Sequence, residues 1–281
     1  MSIMEKIYKS FKQLDYRLGI QVVKLDKQIL SYNADQDFDT ACSIMVFIML
    51  HYFKCIKEGL ISGEEELIYI EENYATGSGI IKYLPFGSKI KASDLVDLMI
   101  IISDHIAANM LIDFLGLENI NNTIQENNFK STKLNHKFLI PKLKNMGKTT
   151  PADLCRFYLM IDNEELLDSE CCTRMKQILL KQHYKDILTG KIKNDNEESF
   201  LDIASKSGKA DGRIYDNNTD SYISDAGIMI CKNGNYYIAV LAELKAGSKI
   251  SLNDVKDYIQ TLSLDIFNYV NYGKSYGNKN M

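Results

Sequence analysis

A polar triplet divides an otherwise apolar stretch at residues 98–113, whose sequence is LMIIISDHIAANMLID. Apolar residues recur on both sides of the triplet, as they do in buried helices. Ser103 and Asp104 are residue types that start helices, because their side-chain oxygens accept hydrogen bonds from free backbone amides. The stretch therefore predicts two helices with a break at Ser103, Asp104 and His105, the second helix ending near Gly116.

Strand-forming runs flank this helical region on both sides along the chain. Residues 18–25 and 28–32 are rich in side chains favoured in strands and predict a hairpin. Residues 224–231 and 236–244 flank an Asn-Gly pair, which favours a tight hairpin turn. The pattern predicts an α+β fold, in which strands from both chain termini form one antiparallel sheet flanked by helices.

The order of these elements also predicts how the chain is organised. Residues 1–40 and 196–281 would form a discontinuous α/β subdomain, and residues 41–195 an inserted all-helical subdomain, together making one structural domain. Thr150, followed directly by a proline, is a strong start signal for one inserted helix. Ligand sites favour the boundaries between such units.

Composition argues against several classes of function. The net charge of -4 and the pI near 5.7 give no basic surface for nucleic acid. The most apolar stretch, residues 44–56, contains His51 and Lys54 and is shorter than the roughly 20 residues of a membrane span. The first fifteen residues hold no apolar run of signal-peptide length, so we expect a cytoplasmic protein without a nucleic-acid or membrane partner.

The six cysteines do not suggest a metal site or a disulfide framework. They form no Cys-x-x-Cys pair, and no histidine lies at zinc-ligand spacing. Cys171 and Cys172 are adjacent, which is awkward for disulfide pairing. We therefore expect free thiols, as in a reducing cytoplasm, and no metal or cofactor.

Two further short signals accompany the polar triplet. Ser43 opens a buried-looking helix, where backbone amides and the helix dipole favour the negative charge that develops in acyl transfer. On position alone, Ser43 is also explained as a simple helix cap. Lys206, Ser207 and Gly208 form a Lys-Ser-Gly triplet near the start of the returning strands, which alone carries little information.

Together, in this order and spacing, the three signals resemble the class A β-lactamase family and its penicillin-binding relatives. That family carries Ser-x-x-Lys, Ser-Asp-Asn and Lys-Thr-Gly motifs. The resemblance spans roughly residues 17–245 and includes the approach to the first motif at residues 38–43. It also includes glycine-containing stretches at residues 77–80 and 84–87 and the helix start at residues 149–154. The resemblance implies a β-lactamase/DD-peptidase-like fold and acyl transfer from an amide or β-lactam-type substrate.

The resemblance also implies a role for each matching residue. Ser43 would be the acylated nucleophile, and Ser103 the hydroxyl that passes protons. Lys206 would supply positive charge facing a substrate carboxylate, and Ser207 and Gly208 would bind the substrate beside it. These roles imply a small carboxylate, amide or β-lactam-like ligand as the partner.

Two groups that such enzymes use are missing. The lysine expected three residues after Ser43 is replaced by Val46, whose alkyl side chain cannot take a proton. Loss of a general base costs about 10²–10⁴-fold in rate. No Asp or Glu occurs from Asn127 through Ala152, where class A enzymes carry the glutamate that hydrolyses the acyl-enzyme.

A third departure offers a replacement base. His105 stands where the family has asparagine, and an ordinary imidazole, with a pKa of about 6.5, is a competent base near neutral pH. One hypothesis is a Ser43–His105 dyad, and the other is that His105 packs against the neighbouring helix or caps it. Cys42 also lies near the helix start, but we expect its side chain to point elsewhere, as a small buried residue.

The sequence leaves two functions open. The first is a β-lactamase-like serine hydrolase that transfers an acyl group to Ser43, with turnover made doubtful by Val46 and the absent glutamate. The alternative is a non-catalytic ligand-binding or sensor protein with a degenerate β-lactamase site. Slow acylation without release would lie between them.

Overall fold

The structure, a computed structural model, describes residues 3–138, 146–192, 200–214 and 218–273. Its strands in chain order are β1 (Arg17–Lys24), β2 (Lys27–Tyr32), β3 (Phe38–Asp39), β4 (Glu66–Ile68), β5 (Lys89–Lys91), β6 (Lys133–Leu134), β7 (Gly147–Thr149), β8 (Phe200–Ala210), β9 (Ser221–Cys231) and β10 (Tyr236–Leu244). Its helices are α1 (Ile3–Phe11), α2 (Met45–Lys57), α3 (Ala92–Ile101), α4 (His105–Leu115), α5 (Leu117–Glu126), α6 (Pro151–Asp162), α7 (Ser169–Leu180), α8 (Asp186–Thr189) and α9 (Leu252–Tyr272).

Strands from both ends of the chain form the largest sheet, which confirms the predicted α+β fold. The strand order is β2-β1-β10-β9-β8, and every neighbouring pair is antiparallel. Gly234, in the turn between β9 and β10, has a φ of +92°, the left-handed conformation that an Asn-Gly pair readily supplies. Because β8 is an edge strand, one side of its backbone faces other parts of the chain rather than a further strand.

Helices α2 to α8 lie between the two groups of sheet strands along the chain. The short strands of this region form two small sheets, one with the strand order β3-β7-β6 and one that pairs β4 with β5. The predicted subdomain boundary between residues 195 and 196 lies outside the described residues, and the two-part division stays a prediction. Across the described ranges, none of the helices combines the length and the apolar character that crossing a membrane requires.

Apolar side chains cover both faces of the large sheet. Ile203 and Ala204 are successive residues of β8 and belong to different apolar clusters, as the alternation of side chains along a strand requires. The cluster of Ala204 surrounds α2, whose residues 45–53 are all buried. The cluster of Ile203 lies beneath α1 and α9. This packing fixes α2 on the same face of the sheet as the side chains of even-numbered β8 residues.

The helix ends follow the predicted signals. The Thr150 hydroxyl accepts a hydrogen bond from the Asp153 amide at 3.0 Å, with Pro151 in the first turn of α6. The predicted break between two apolar helices is confirmed, because α3 ends at Ile101 and α4 begins at His105. All six cysteines are buried free thiols, as predicted.

Candidate active site

Lys206 of β8 and Ser103, in the break before α4, lie in direct contact although 103 residues separate them in sequence. The Lys206 Nζ donates to Ser103 Oγ at 2.5 Å and to the Ser207 carbonyl oxygen at 2.9 Å. Both side chains are buried. An ammonium group has three donors, so the described contacts leave one for a further acceptor. The sheet edge and the start of α4 thus form one polar cluster.

The environment of Lys206 weakens its hold on a proton. Burial lowers the pKa of Lys206, while the charges of Cys42 and Asp225 act in the opposite direction and do not restore it. Desolvation always penalises the charged form of a buried group. The Lys206 ammonium therefore gains free energy from any anion that enters beside it.

His105, the first residue of α4, is oriented by contacts at both ring nitrogens. Nδ1 lies 3.1 Å from the Thr76 carbonyl oxygen, to which it donates, and Nε2 lies 3.4 Å from Cys42 Sγ. The Phe138 ring lies against the imidazole, with 5.2 Å between ring centroids. A carbonyl partner for Nδ1 fixes the tautomer, so Nε2 of the neutral ring is the acceptor that faces the thiol. The predicted base thus contacts Cys42 and not Ser43.

The loop before β5 is shaped to hold the His105 ring. Gly77 has a φ of +102°, and a Cβ there would lie 2.8 Å from the His105 Cε1 atom. The buried Asp104 carboxylate accepts hydrogen bonds from the amides of Ile80 and Ile81 in this loop. Through its other oxygen, Asp104 also caps α4. The Asp104 carboxylate therefore links this loop to the first turn of α4, where His105 lies.

Cys42 and Ser43 lie in a 3-10 turn, Ala41–Ile44, that precedes α2. Within this turn the Ser43 hydroxyl is buried and donates to the Thr40 carbonyl oxygen at 2.7 Å. Among the contacts of the described residues, the Ser43 hydroxyl joins neither His105 nor the Lys206 cluster. The role of Ser43 as the acylated residue stays a prediction, and these contacts do not favour it.

The backbone is strained at the two points where the chain enters this cluster. Ala41 has a φ of +46° and Ser103 a φ of +55°, both in the left-handed region. Such conformations cost about 1–3 kcal/mol for a residue other than glycine and are concentrated at functional sites. The strain at Ala41 comes directly before Cys42.

Cys42 and His105 shift each other's proton affinity. Burial opposes ionisation of Cys42, but the charge and hydrogen bond of His105, with a contribution from Lys206, lower the pKa of the thiol below its ordinary value. Burial disfavours the imidazolium form, but Cys42 and the Thr76 carbonyl raise the pKa of His105. Both directions favour a thiolate beside an imidazolium.

The remaining predicted residues border the same cluster. The Ser207 hydroxyl accepts a hydrogen bond from the Gln182 side chain at 3.1 Å. A Cβ at Gly208 would lie 2.6 Å from the Cys42 backbone nitrogen, so the edge strand passes directly against the 3-10 turn. Val46 is fully buried in the apolar cluster around α2 and supplies no base. The described residues contain no group of three or more potential metal ligands.

Sequence reasoning named Cys42 but expected its side chain to point elsewhere, whereas the structure places Cys42 Sγ 3.4 Å from His105 Nε2. The resemblance was aligned by matching Ser43 to the serine of the Ser-x-x-Lys motif. A histidine in the asparagine position of the second motif, together with a cysteine beside the expected nucleophile, was the available signal. Each is ambiguous alone, and the pair becomes informative only when the fold brings them together.

The family match and the similar solved structures agree with the observed fold. The family model described as "Beta-lactamase enzyme family" matches residues 2–270. PBP-A is 24% identical, with a TM-score of 0.80 over 94% of this chain and 95% of that chain, and a PBP-A mutant solved as an acyl-enzyme complex with penicillin G is equally similar. A β-lactamase from Sphaerobacter thermophilus is 19% identical, with a TM-score of 0.79 over 96% of this chain and 98% of that chain.

A β-lactamase from Chitinophaga pinensis is 15% identical, with a TM-score of 0.82 over 96% of this chain and 99% of that chain. No curated protein matches the sequence. At these identities the solved structures show a shared fold.

Proposed function

Because the chain belongs to the β-lactamase enzyme family and has the fold of its serine hydrolases, we propose that it is an acyl-transfer protein. It accepts the acyl group of a small amide or β-lactam-type compound that carries a carboxylate. The acceptor residue lies in the turn before α2, next to the cluster of Ser103 and Lys206. The contact between the Lys206 ammonium and the Ser103 hydroxyl is the observation that carries this proposal.

The Lys206 ammonium is suited to hold the carboxylate of the ligand. It is fully buried, and its pKa is lowered by burial, so an incoming anion compensates a charge that water does not reach. Charge-assisted hydrogen bonds of this kind contribute about 1.5–3 kcal/mol. A carboxylate at this position would also bring the ligand's carbonyl group toward the turn before α2.

The Ser103 hydroxyl is suited to pass a proton to the leaving nitrogen. A hydroxyl both donates and accepts, and Ser103 already accepts from Lys206. Its own proton is therefore free to point toward a nitrogen that gains negative charge as the amide bond breaks. A lysine with a lowered pKa can replace that proton.

We propose that release of the acyl group is slow. The segment between Asn127 and Ala152 contains no carboxylate to activate water as the class A glutamate does. Val46 offers no second base near the turn. An acyl adduct should therefore accumulate and remain detectable by intact mass. A PBP-A mutant, of related fold, has been solved as an acyl-enzyme complex with penicillin G, which makes a penicillin the appropriate first probe.

The test is incubation of the full chain with a fluorescent penicillin, followed by gel fluorescence and intact mass. We expect one adduct per chain, formed about 10–150-fold more slowly in Lys206→Ala, as loss of one charge-assisted hydrogen bond predicts. Lys256→Ala is the matched control, because Lys256 lies on α9, on the opposite face of the sheet with the cluster of Ile203. Lys256 forms an ion pair with Asp186. The labelling rate of Lys256→Ala should equal that of the wild type.

Two results would count against acyl transfer. Saturable penicillin binding without an adduct and without hydrolysis would favour the non-catalytic ligand-binding alternative. An equal loss of labelling in Lys206→Ala and Lys256→Ala would show that the buried ammonium has no special part in recognition.

A further inference from the structure

We propose that Cys42 and His105 form a nucleophile–base pair, and that the acyl group is carried as a thioester on Cys42 and not as an ester on Ser43. The thioester rests on the proposed acyl transfer, whereas the reactive thiolate does not. The family resemblance implies a serine nucleophile, so this pair is a feature of the chain itself.

The geometry of the pair is that of an activated nucleophile. Sγ of Cys42 lies 3.4 Å from Nε2 of His105, within hydrogen-bonding distance for sulfur. The Thr76 carbonyl, 3.1 Å from Nδ1, orients the ring as the third member. A nucleophile, a base and a group that orients the base are the components of serine and cysteine hydrolase sites.

The surroundings of the pair restrict its movement. A Cβ at Gly77 would lie within 3 Å of the His105 ring, so the ring fills the space that glycine leaves. Strand β8 approaches the Cys42 nitrogen closely at Gly208. The left-handed φ of Ala41 turns the chain sharply just before Cys42. The backbone therefore presents Cys42, in the turn before α2, to the base.

The charges around Cys42 favour a thiolate. The charged group that acts on both members of the pair is Lys206 from β8. The carboxylate of Asp104 is occupied by backbone amides, two in the loop and two in α4. Lys206 and protonated His105 are both positive, so a thiolate at Cys42 is the anion that they compensate.

Ser43 lacks each of these features. Its hydroxyl donates to the Thr40 carbonyl and has no base beside it among the described contacts. If Cys42 is the first residue of the Ser-x-x-Lys pattern, the third position after it is Met45, which is also buried and without a proton-accepting group. In either register the base must come from elsewhere, and of the two candidate nucleophiles it is Cys42 that His105 contacts.

The chemical step follows from this pairing. The Cys42 thiolate attacks the carbonyl carbon, an S–C bond forms, and the C–N bond of the amide or lactam breaks. The leaving nitrogen takes its proton from the Ser103 hydroxyl, Lys206 replaces that proton, and the proton that His105 took from the thiol returns to Lys206. Water reaches the buried pair poorly, so release is slow. When water attacks the thioester, His105 takes the water proton and Cys42 leaves as a thiolate.

The chain offers a matched control in its second Cys–His contact. Cys55 Sγ lies 3.6 Å from His51 Nε2, and Cys55 and Cys42 are each 6% exposed. There, however, burial dominates, so the pKa of Cys55 is raised and that of His51 is lowered. The two thiols are equally exposed and each has a histidine neighbour, but the pKa is lowered at Cys42 and raised at Cys55.

The experiment measures iodoacetamide alkylation of both thiols by peptide mass spectrometry across pH, in the wild type, His105→Ala, His105→Asn and His51→Ala. We expect Cys42 to react at pH values where Cys55 does not, by about tenfold for each unit of pKa difference. The rate at Cys42 should fall at least about tenfold in both His105 variants and stay unchanged in His51→Ala. Circular dichroism shows whether each variant is folded.

The outcomes separate this pair from the proposed function. Equal pH profiles for Cys42 and Cys55, or Cys42 alkylation that both folded His105 variants leave unchanged, would overturn the pair. Reactive Cys42 without any penicillin adduct would support the pair and contradict the proposed substrate. An adduct that survives in Cys42→Ala and disappears in Ser43→Ala would support acyl transfer and overturn the thioester.

Discussion

The carboxylate of Asp104 accepts a hydrogen bond from the Ile80 amide at 2.7 Å, across 24 residues of sequence. The same side chain accepts from two amides in the first turn of α4, which makes it the cap of that helix. The loop that carries Thr76 and Gly77 is thereby attached to the helix that carries His105. One buried carboxylate holds both the base and the group that orients it.

Asp104→Ala should lower the free energy of unfolding by about 2–4 kcal/mol. Loss of a helix cap accounts for about 1 kcal/mol, and buried amides left without acceptors cost about 1–3 kcal/mol each before relaxation. Urea denaturation measures the change. Asp168→Ala, which removes the cap of α7 and its contact with the Cys171 amide, is the control. Similar losses in the two variants would show that the link to Ile80 contributes nothing.

Gly77→Ala should slow Cys42 alkylation near neutral pH, because the added methyl group displaces the His105 ring. Gly87→Ala is the control, since Gly87 has a similar φ of +90° and no neighbouring atom within 4 Å of the added Cβ. Both variants should lose roughly 1 kcal/mol or more of stability from the strained backbone, but only Gly77→Ala should change the reactivity of Cys42. Equal reactivity in both would mean that the ring position does not depend on Gly77.

Much of this architecture could be predicted from local signals in the sequence. The Asn-Gly turn, the Thr150 cap and the break at Ser103 are each decided by a few residues, and each is observed where expected. The meeting of Ser103 with Lys206 was predictable from the order of motifs that the resemblance supplied. These features depend on residue type and spacing.

The partner of His105 could not be predicted in the same way. Whether Cys42 or Ser43 faces the base depends on the rotation of the chain between β3 and α2. That rotation is set by a 3-10 turn and a left-handed φ at Ala41, which is unusual for alanine and has no sequence signature. A shift of one residue exchanges a thiol for a hydroxyl and changes the chemistry.

Exchange of the thiol for a hydroxyl should lower the pKa of His105. In the wild type, burial favours the neutral ring, and the charge of Cys42 together with its hydrogen bond raises the pKa above the ordinary value. Cys42→Ser removes that charge and leaves burial and Lys206, which lower the pKa, opposed by the hydrogen bond to the Thr76 carbonyl. The NMR titration of the His105 ring measures this change, with Cys55→Ser as the control. An unchanged midpoint in Cys42→Ser would contradict the charge coupling.

Asp225→Asn should stabilise the protein increasingly as the pH rises. Burial raises the pKa of Asp225 well above its ordinary value, although Lys206 and Ser205 oppose the shift. The folded state therefore binds this proton more tightly than the unfolded chain. The stability that it contributes is fully present below pH about 4 and is lost as the pH rises toward the folded pKa.

Urea denaturation between about pH 4 and pH 8 tests this sign. The difference between Asp225→Asn and the wild type should grow in favour of the variant over that range. Asp254→Asn is the opposite case, because hydrogen bonds from Ser251 lower the pKa of Asp254, so its deficit should grow as the pH rises. A constant difference for Asp225→Asn would mean that Asp225 is ionised in the folded state.

The most direct test identifies the atom that carries the acyl group. The penicillin-treated wild-type protein is digested, and the modified peptide is sequenced by mass spectrometry with and without neutral hydroxylamine, which cleaves thioesters and leaves oxygen esters intact. We predict a hydroxylamine-sensitive adduct on Cys42. A hydroxylamine-resistant adduct on Ser43 would contradict the account.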